Sequence, residues 1–261
     1  MDGKGNISTE RRGHLFLIGI DRPDKRNAFS LDMYMALSRV FGELDDDDEL
    51  RCGVLFAHGD HFTAGLDLPE WTGALAGNGL PVSDGGACPM GLYGRRVTKP
   101  LVFAAQGLCL TIGIELMLAT DIRVAARDTR FGQIEVKRGI YPVGGTTLRL
   151  AREIGWGNAM RYLLTGDEFS ADEAFRMGLV QEVVEPGAQL DRAVDIAQTV
   201  ARQAPLGVRA TLASARLDQE VGESAAARRL LPDLQPLLAS EDVQEGIASF
   251  MERREARFKG R

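Results

Sequence analysis

Residues 101–120 read LVFAAQGLCLTIGIELMLAT and hold a single acid, Glu115; a second isolated acid, Glu135, follows in the segment FGQIE. A carboxylate set among apolar side chains is costly to keep charged, so it either takes up a proton near neutral pH or finds donors that hold it ionised. Both states serve proton transfer, one as acid and the other as base. Two further segments, residues 59–68 (GDHFTAGLDL) and 106–115 (QGLCLTIGIE), each leave an apolar run through glycine, where a missing side chain lets backbone approach a ligand. The second leads into a helix start, whose free N–H groups suit a developing negative charge.

These residues need elements to hold them. Apolar runs at 14–20, 53–57, 101–105, 122–126 and 179–184 have the length and composition of strands, with helical patterns between them. Ser30 is placed to cap a helix carrying Met33, Leu37, Val40 and Phe41, which the acidic run 45–49 then ends. Residues 170–173 (SADE) have capping-box spacing, and Gly178 stands where that helix should stop. The alternation predicts an α/β fold. Beyond residue 188 the strand-like runs give way to Ala-, Arg- and Leu-rich helical segments broken by Pro205, Pro232 and Pro236, read as a helical appendage. Residues 71–94 are Gly-rich and aperiodic, and are either a functional loop or a disordered one.

Composition narrows the partners. The chain has 261 residues, 31 basic and 37 acidic, for a net charge of −6, which gives no long-range attraction to nucleic acid or anionic lipid. A polyanionic ligand would have to meet a local basic cluster. Cys52, Cys88 and Cys109 show no CxxC spacing, arguing against a disulfide framework or thiolate metal site and for a reducing compartment. The polar start MDGKGNISTERR has no apolar run of the secretory kind, so a cytosolic location is expected. Residues 101–120 approach membrane-spanning length, but Gln106, Gly107, Gly113 and Glu115 interrupt them, and core strand plus core helix is the reading adopted.

Seven segments in order, IDRPDKRNAF, HFTAGLDL, KPLVFAAQG, IELMLATDIRVAA, FGQIEVKRGIYPVGG, LTGDEFSADEAFRMGLVQEVV and FMERREARFKGR, make the chain resemble the crotonase, or enoyl-CoA hydratase/isomerase, family over nearly its whole length. The resemblance implies a spiral of repeated ββα units over residues 1–200, with a helical region at 201–261 that packs across subunits in a trimer or dimer of trimers. It implies an acyl-CoA substrate, no separate cofactor, and an oxyanion hole made by the backbone amides of Leu66 and Ile112. It places the catalytic pair at Glu115, which would activate water, and Glu135, which would protonate C2 of a 2-enoyl-CoA. CoA would follow Ala64, Asp67 and Leu68 past Ala28, with Lys25, Arg26 and Lys259 meeting its phosphates, Lys259 from a neighbouring subunit. Pro142 and Val143 would border the acyl pocket. Two departures bear on substrate range: Thr111 and Ile112 stand in a stretch that is commonly a run of glycines, and Val143 stands where glycine is usual.

Hydratase is the expected activity. An enoyl-CoA isomerase, working with the second glutamate alone, and a non-catalytic acyl-CoA- or RNA-binding relative are the alternatives. Other chemistries lack their residues. His58, Asp60 and His61 want a third imidazole or cysteine for a metal. The segment 77–79 (GNG) lacks the third glycine of a dinucleotide fingerprint, and 144–147 (GGTT) lacks the P-loop lysine. Asp121, at a helix end before a strand, reads as structural, and no serine has a GxSxG setting.

Overall fold

A computed structural model describes residues 5–77 and 79–261, so the first residues of the polar N-terminus and the middle position of the segment 77–79 lie outside the described residues. Strands β1 (Asn6–Arg12), β2 (Leu15–Asp21), β3 (Cys52–Ala57), β4 (Leu101–Ala105), β5 (Leu108–Leu110), β6 (Ile122–Ala126), β7 (Arg130–Gly132), β8 (Glu168–Ser170) and β9 (Glu182–Val184) fall into two sheets. The larger runs β1-β2-β3-β4-β6-β9 and is parallel from β2 onward; the smaller runs β5-β7-β8. Between them lie α1 (Leu31–Asp46), α2 (Leu68–Leu75), α3 (Ile112–Met117), α4 (Thr146–Ile154), α5 (Trp156–Thr165) and α6 (Ala171–Arg176).

The apolar runs are continuous because the large sheet is covered on both faces. Along β2, Phe16, Ile18 and Ile20 enter the inner core while Leu15 and Leu17 enter a second core on the opposite face. In β4, Leu101, Phe103 and Ala105 face inward, and Val102 and Ala104 outward. The outer face is closed by α7 (Gln189–Ala201) through Ala193, Val194, Ala197 and Ala201, so the first helix after residue 188 belongs to the packed core. Helices α8 (Pro205–Val221), α9 (Glu223–Ala226), α10 (Leu230–Leu238) and α11 (Glu241–Glu252) then run on.

Strand order makes the expected spiral. One turn supplies β4 to the large sheet and β5 to the small one, then α3; the next supplies β6 and β7 alongside them. The turn before contributes β3 and a single bridge, Thr63 to Cys109. Three local features differ from the sequence reading. The polar stretch Asn6–Arg12 is an edge strand, antiparallel to β2, with only Ile7 buried. The run 179–184 pairs only from Glu182, because Leu179 and Val180 are spent closing α6 against the core after Gly178. Residues 71–94, outside residue 78, are tied down at two places: Trp71 is buried in α2 and donates from Nε1 to Phe29 O (2.9 Å), and Ala87, Cys88 and Met90 are buried, while positions 72–77 are largely exposed. Just beyond that stretch, Arg95 pairs with Asp45 and Asp46 of α1.

Both helix starts form as read. Ser30 Oγ accepts from the Met33 N–H (3.1 Å), and Ser170 Oγ from the Glu173 N–H (3.2 Å). Glu173 does not complete its box, turning instead to Arg176 and Tyr162.

Candidate active site

The spiral brings three crossings to one cavity of about 250 Å³, whose lining includes Leu66, Ile112, Glu115, Glu135, Pro142 and Val143. The first crossing is residues 62–68. Here the Ala64 N–H donates to Arg26 O (2.9 Å), the Phe29 N–H to Gly65 O (2.8 Å) and the Asp67 N–H to Phe29 O (2.9 Å). Between these bonds the Leu66 N–H takes no acceptor among the described residues. Asn27, wholly buried and in left-handed backbone, ties the crossing down by donating to His58 O (2.8 Å) and His61 O (2.7 Å) while accepting from the Arg22 N–H (2.7 Å).

The second crossing turns at Thr111, which holds φ +49 and ψ −110. A β-branched residue at positive φ is strained, at a cost of order 1–3 kcal/mol. The Thr111 N–H is anchored on Gly132 O (2.9 Å), while its Oγ1 is buried without a partner among the described residues. That hydroxyl sits over Gly65, where an added Cβ would lie 2.7 Å from it. The turn leaves the Ile112 N–H, first of α3, with no acceptor among the described residues, as the opening amides of a helix have none within it.

Glu115 follows on α3 and is 6 % exposed. Burial pushes its carboxyl up to about 8, against the pull of the Gly144 N–H, which donates to Oε1 at 2.5 Å; the Glu135 charge adds to the rise and Arg149 opposes it. A Cβ at Gly144 would lie 2.4 Å from Glu115 Oε2, so any side chain there would have to displace this carboxylate. In the sequence, Gly144 stood out only as part of the 144–147 segment that lacks a P-loop lysine. Only the collision reveals its purpose.

Glu135 opens a single 3-10 turn, Glu135–Arg138, after β7. Burial raises it to about 7, its own backbone N–H opposing, and its Oε2 is buried with no partner among the described residues. The two acids therefore sit in one chamber with both carboxyls displaced into the neutral range. Arg138 lines the same chamber, and no signal in the sequence marked it.

An open groove adjoins this chamber at Leu66 and Leu68, and Lys25, Arg26, Ala28 and Asp67 line it. Asp67 lies below the usual carboxylate range: burial would raise it, but hydrogen bonds from Arg22 (3.0 Å) and Lys25 (3.4 Å) outweigh that. Lys259 is not gathered with these residues within the chain. Its ammonium pairs with Glu241 (3.3 Å), and it lines a separate hollow with Arg51, Lys99 and Arg209. The His58–His61 turn is structural: His58 Nε2 meets Ser8 Oγ (2.7 Å), and His61 Nδ1 accepts from the Leu108 N–H (3.2 Å). No cluster of three metal-ligating side chains occurs among the described residues. Asp121 is likewise structural, accepting from the Leu101 N–H and from Arg216.

The family model for enoyl-CoA hydratase/isomerase matches residues 10–261. The chain is 36% identical over 256 residues to the enoyl-CoA hydratase EchA19 of Mycobacterium tuberculosis, covering 97% of this chain and 96% of that protein. It is 31% identical over 265 residues to the short-chain-enoyl-CoA hydratase of Clostridium acetobutylicum, covering 98% of each. A crystal structure of a probable enoyl-CoA hydratase/isomerase from Mycobacterium abscessus superposes with a TM-score of 0.95 at 47% identity, over 98% of each chain. With the family model matching residues 10–261 and relatives more than 30% identical over nearly the whole of both chains, the chain belongs to the enoyl-CoA hydratase/isomerase family.

Proposed function

We propose that this chain is an enoyl-CoA hydratase, adding water reversibly and syn across a 2-trans-enoyl-CoA to give a 3-hydroxyacyl-CoA. The observation that carries the reading is one chamber lined by two carboxyls that burial raises toward neutral pH, together with two backbone amides that have no acceptor among the described residues. The Leu66 and Ile112 amides take the thioester oxygen as it gains enolate character, each such donor being worth roughly 10²–10³ in rate. Glu115 removes a proton from water as its oxygen bonds to C3, the C2–C3 π electrons pass toward the thioester oxygen, and Glu135 delivers a proton to C2. The pair shares one proton; because Glu115 is held higher than Glu135, the form the forward step needs, with Glu115 ionised and Glu135 protonated, is the minor of the two one-proton forms, and acid and base exchange roles when the reaction runs back. In this reading the CoA thioester is the substrate, and amides and acids supply the chemistry.

CoA lies over Ala64, Asp67 and Leu68 in the groove of Lys25, Arg26 and Ala28, with Lys259 of an adjacent copy completing the phosphate contacts in a trimer or dimer of trimers. The half-exposed Leu230, Leu231 and Leu238 on α10 are apolar surface available for such packing. Buried thiols at Cys52, Cys88 and Cys109 suit a reducing, cytosolic setting.

The test is Glu135→Gln. Hydration, followed by loss of the conjugated thioester absorbance and a mass gain of one water, is expected to fall by about 10²–10⁴ while saturated acyl-CoA still binds. Wild-type turnover in this variant contradicts the assignment. A product of unchanged mass from a 3-enoyl-CoA, with no hydration of the 2-enoyl isomer, would assign isomerase instead.

A further inference from the structure

Beyond the catalytic chamber lies a second and larger cavity, of about 870 Å³. The two share Leu75, Ile140, Tyr141, Pro142 and Val143 as a common wall. The cationic groove of Lys25 and Arg26 meets the catalytic chamber on a different edge, through Leu66 and Leu68. Three spaces thus adjoin in series: a charged groove, a chamber with the acids and amides, and a large outer chamber.

The outer chamber differs from the other two in chemistry. Leu75, Leu80, Leu92, Tyr93, Ile140 and Leu148 supply much of its wall, and no Asp, Glu, Lys, Arg or His lines it among the described residues. Size makes it surplus to a short substrate. At about 30 Å³ per water-sized group, the inner chamber holds roughly eight such groups, enough for a thioester with a four-carbon enoyl unit. A substrate that ended there would leave the outer apolar chamber wet, at a standing cost in hydration of its leucines.

Resting on the hydratase reading, we infer that the acyl group is long or bulky and apolar, about eight carbons or more, its distal part filling the outer chamber while C1 to C3 stay between the acids and the amides. Each methylene entering the chamber favours binding by up to about fourfold, the equivalent of ~0.8 kcal/mol. A carboxylate at the far end meets no cation there and is rejected, because burying an unpaired charge costs more than the chain gains.

The experiment compares crotonyl-CoA, 2-decenoyl-CoA and a 2-decenoyl-CoA bearing a terminal carboxylate on the full-length protein and on Leu148→Asp, with calorimetric binding of butyryl- and decanoyl-CoA alongside. Leu148 is 59% exposed and touches the outer chamber alone of the two, so the substitution disturbs folding little and places a charge in the chamber. Expected are a kcat/KM at least tenfold higher for the decenoyl than for the crotonyl substrate, loss of that gain with the terminal carboxylate, and a fall of at least tenfold in the decenoyl-to-crotonyl ratio in the variant. Crotonyl-CoA turned over as well as decenoyl-CoA overturns the inference and leaves the hydratase reading standing. No hydration of any substrate, with decanoyl-CoA bound at least tenfold tighter than butyryl-CoA, overturns the hydratase reading and supports the chamber. An unchanged ratio in Leu148→Asp, with altered assembly by light scattering, would assign the cavity to a contact between copies and overturn the inference.

Discussion

At the scale of single residues, the chemistry depends on two carboxyls that are each expensive to ionise. With Glu115 raised to about 8 and Glu135 to about 7, both by burial first, the pair holds two protons in acid, none in alkali and one in between. Only the single-proton state offers an acid and a base together. The pH profile of kcat/KM should therefore be a narrow bell centred between about 7 and 8, losing about tenfold per pH unit on each side; a flat profile over this range would mean that the pair does not carry the reaction. Both acids were legible in the sequence because acids are rare in apolar runs. Gly144, which donates to one of them, was not, since its importance lies in a side chain it lacks. Asn27 was hidden for a related reason: two of its three hydrogen bonds go to His58 O and His61 O, more than thirty residues away, and leave no local pattern.

At the scale of elements, the β5–α3 turn sets the direction of the Ile112 amide, and it does so with a threonine in backbone that favours glycine. Relief of strain worth about 1–3 kcal/mol, less up to about 1 kcal/mol for glycine's greater freedom when unfolded, leaves Thr111→Gly more stable by about 1 kcal/mol. Thermal unfolding should show a Tm higher by roughly 2–4 °C; a lower Tm would mean the threonine side chain contributes packing that outweighs the strain. The long parallel strands were readable because burial on two faces makes them continuous apolar runs. The edge strand Asn6–Arg12 was not, its exposed positions being filled with Glu, Arg and Thr. Neither were β5, β7 and β8, three residues each and too short to display a period. Between the end of α2 and residue 94, outside residue 78, the chain forms no regular element and is fixed by single contacts such as the close approach of Gly86 to Ser38, which leave no period in the sequence.

At the scale of the whole molecule, the alternation of strand-like and helical segments gave an α/β fold followed by helices, while the spiral was what the resemblance to the crotonase family implied; in it, successive turns of the chain become neighbours in space. What the alternation could not convey was that α7 is a core layer, since its alanine face is small-residue packing with little hydrophobic contrast. The helices after it expose Leu230, Leu231, Leu238, Ile247, Phe250 and Met251, apolar side chains that an interface between copies would cover. Light scattering on the purified protein is expected to give the mass of three or six chains; a stable monomer that retains full activity would remove Lys259 of a neighbour from the site.

The central claim is spatial, and a crystal structure with a saturated acyl-CoA tests it most directly. The expected result is a thioester oxygen 2.7–3.1 Å from both the Leu66 and Ile112 nitrogens, the spacing of a working oxyanion hole, with the Glu115 and Glu135 carboxyls both reaching C2 and C3. A thioester bound elsewhere, or held so that only one carboxyl can reach those carbons, would contradict the account.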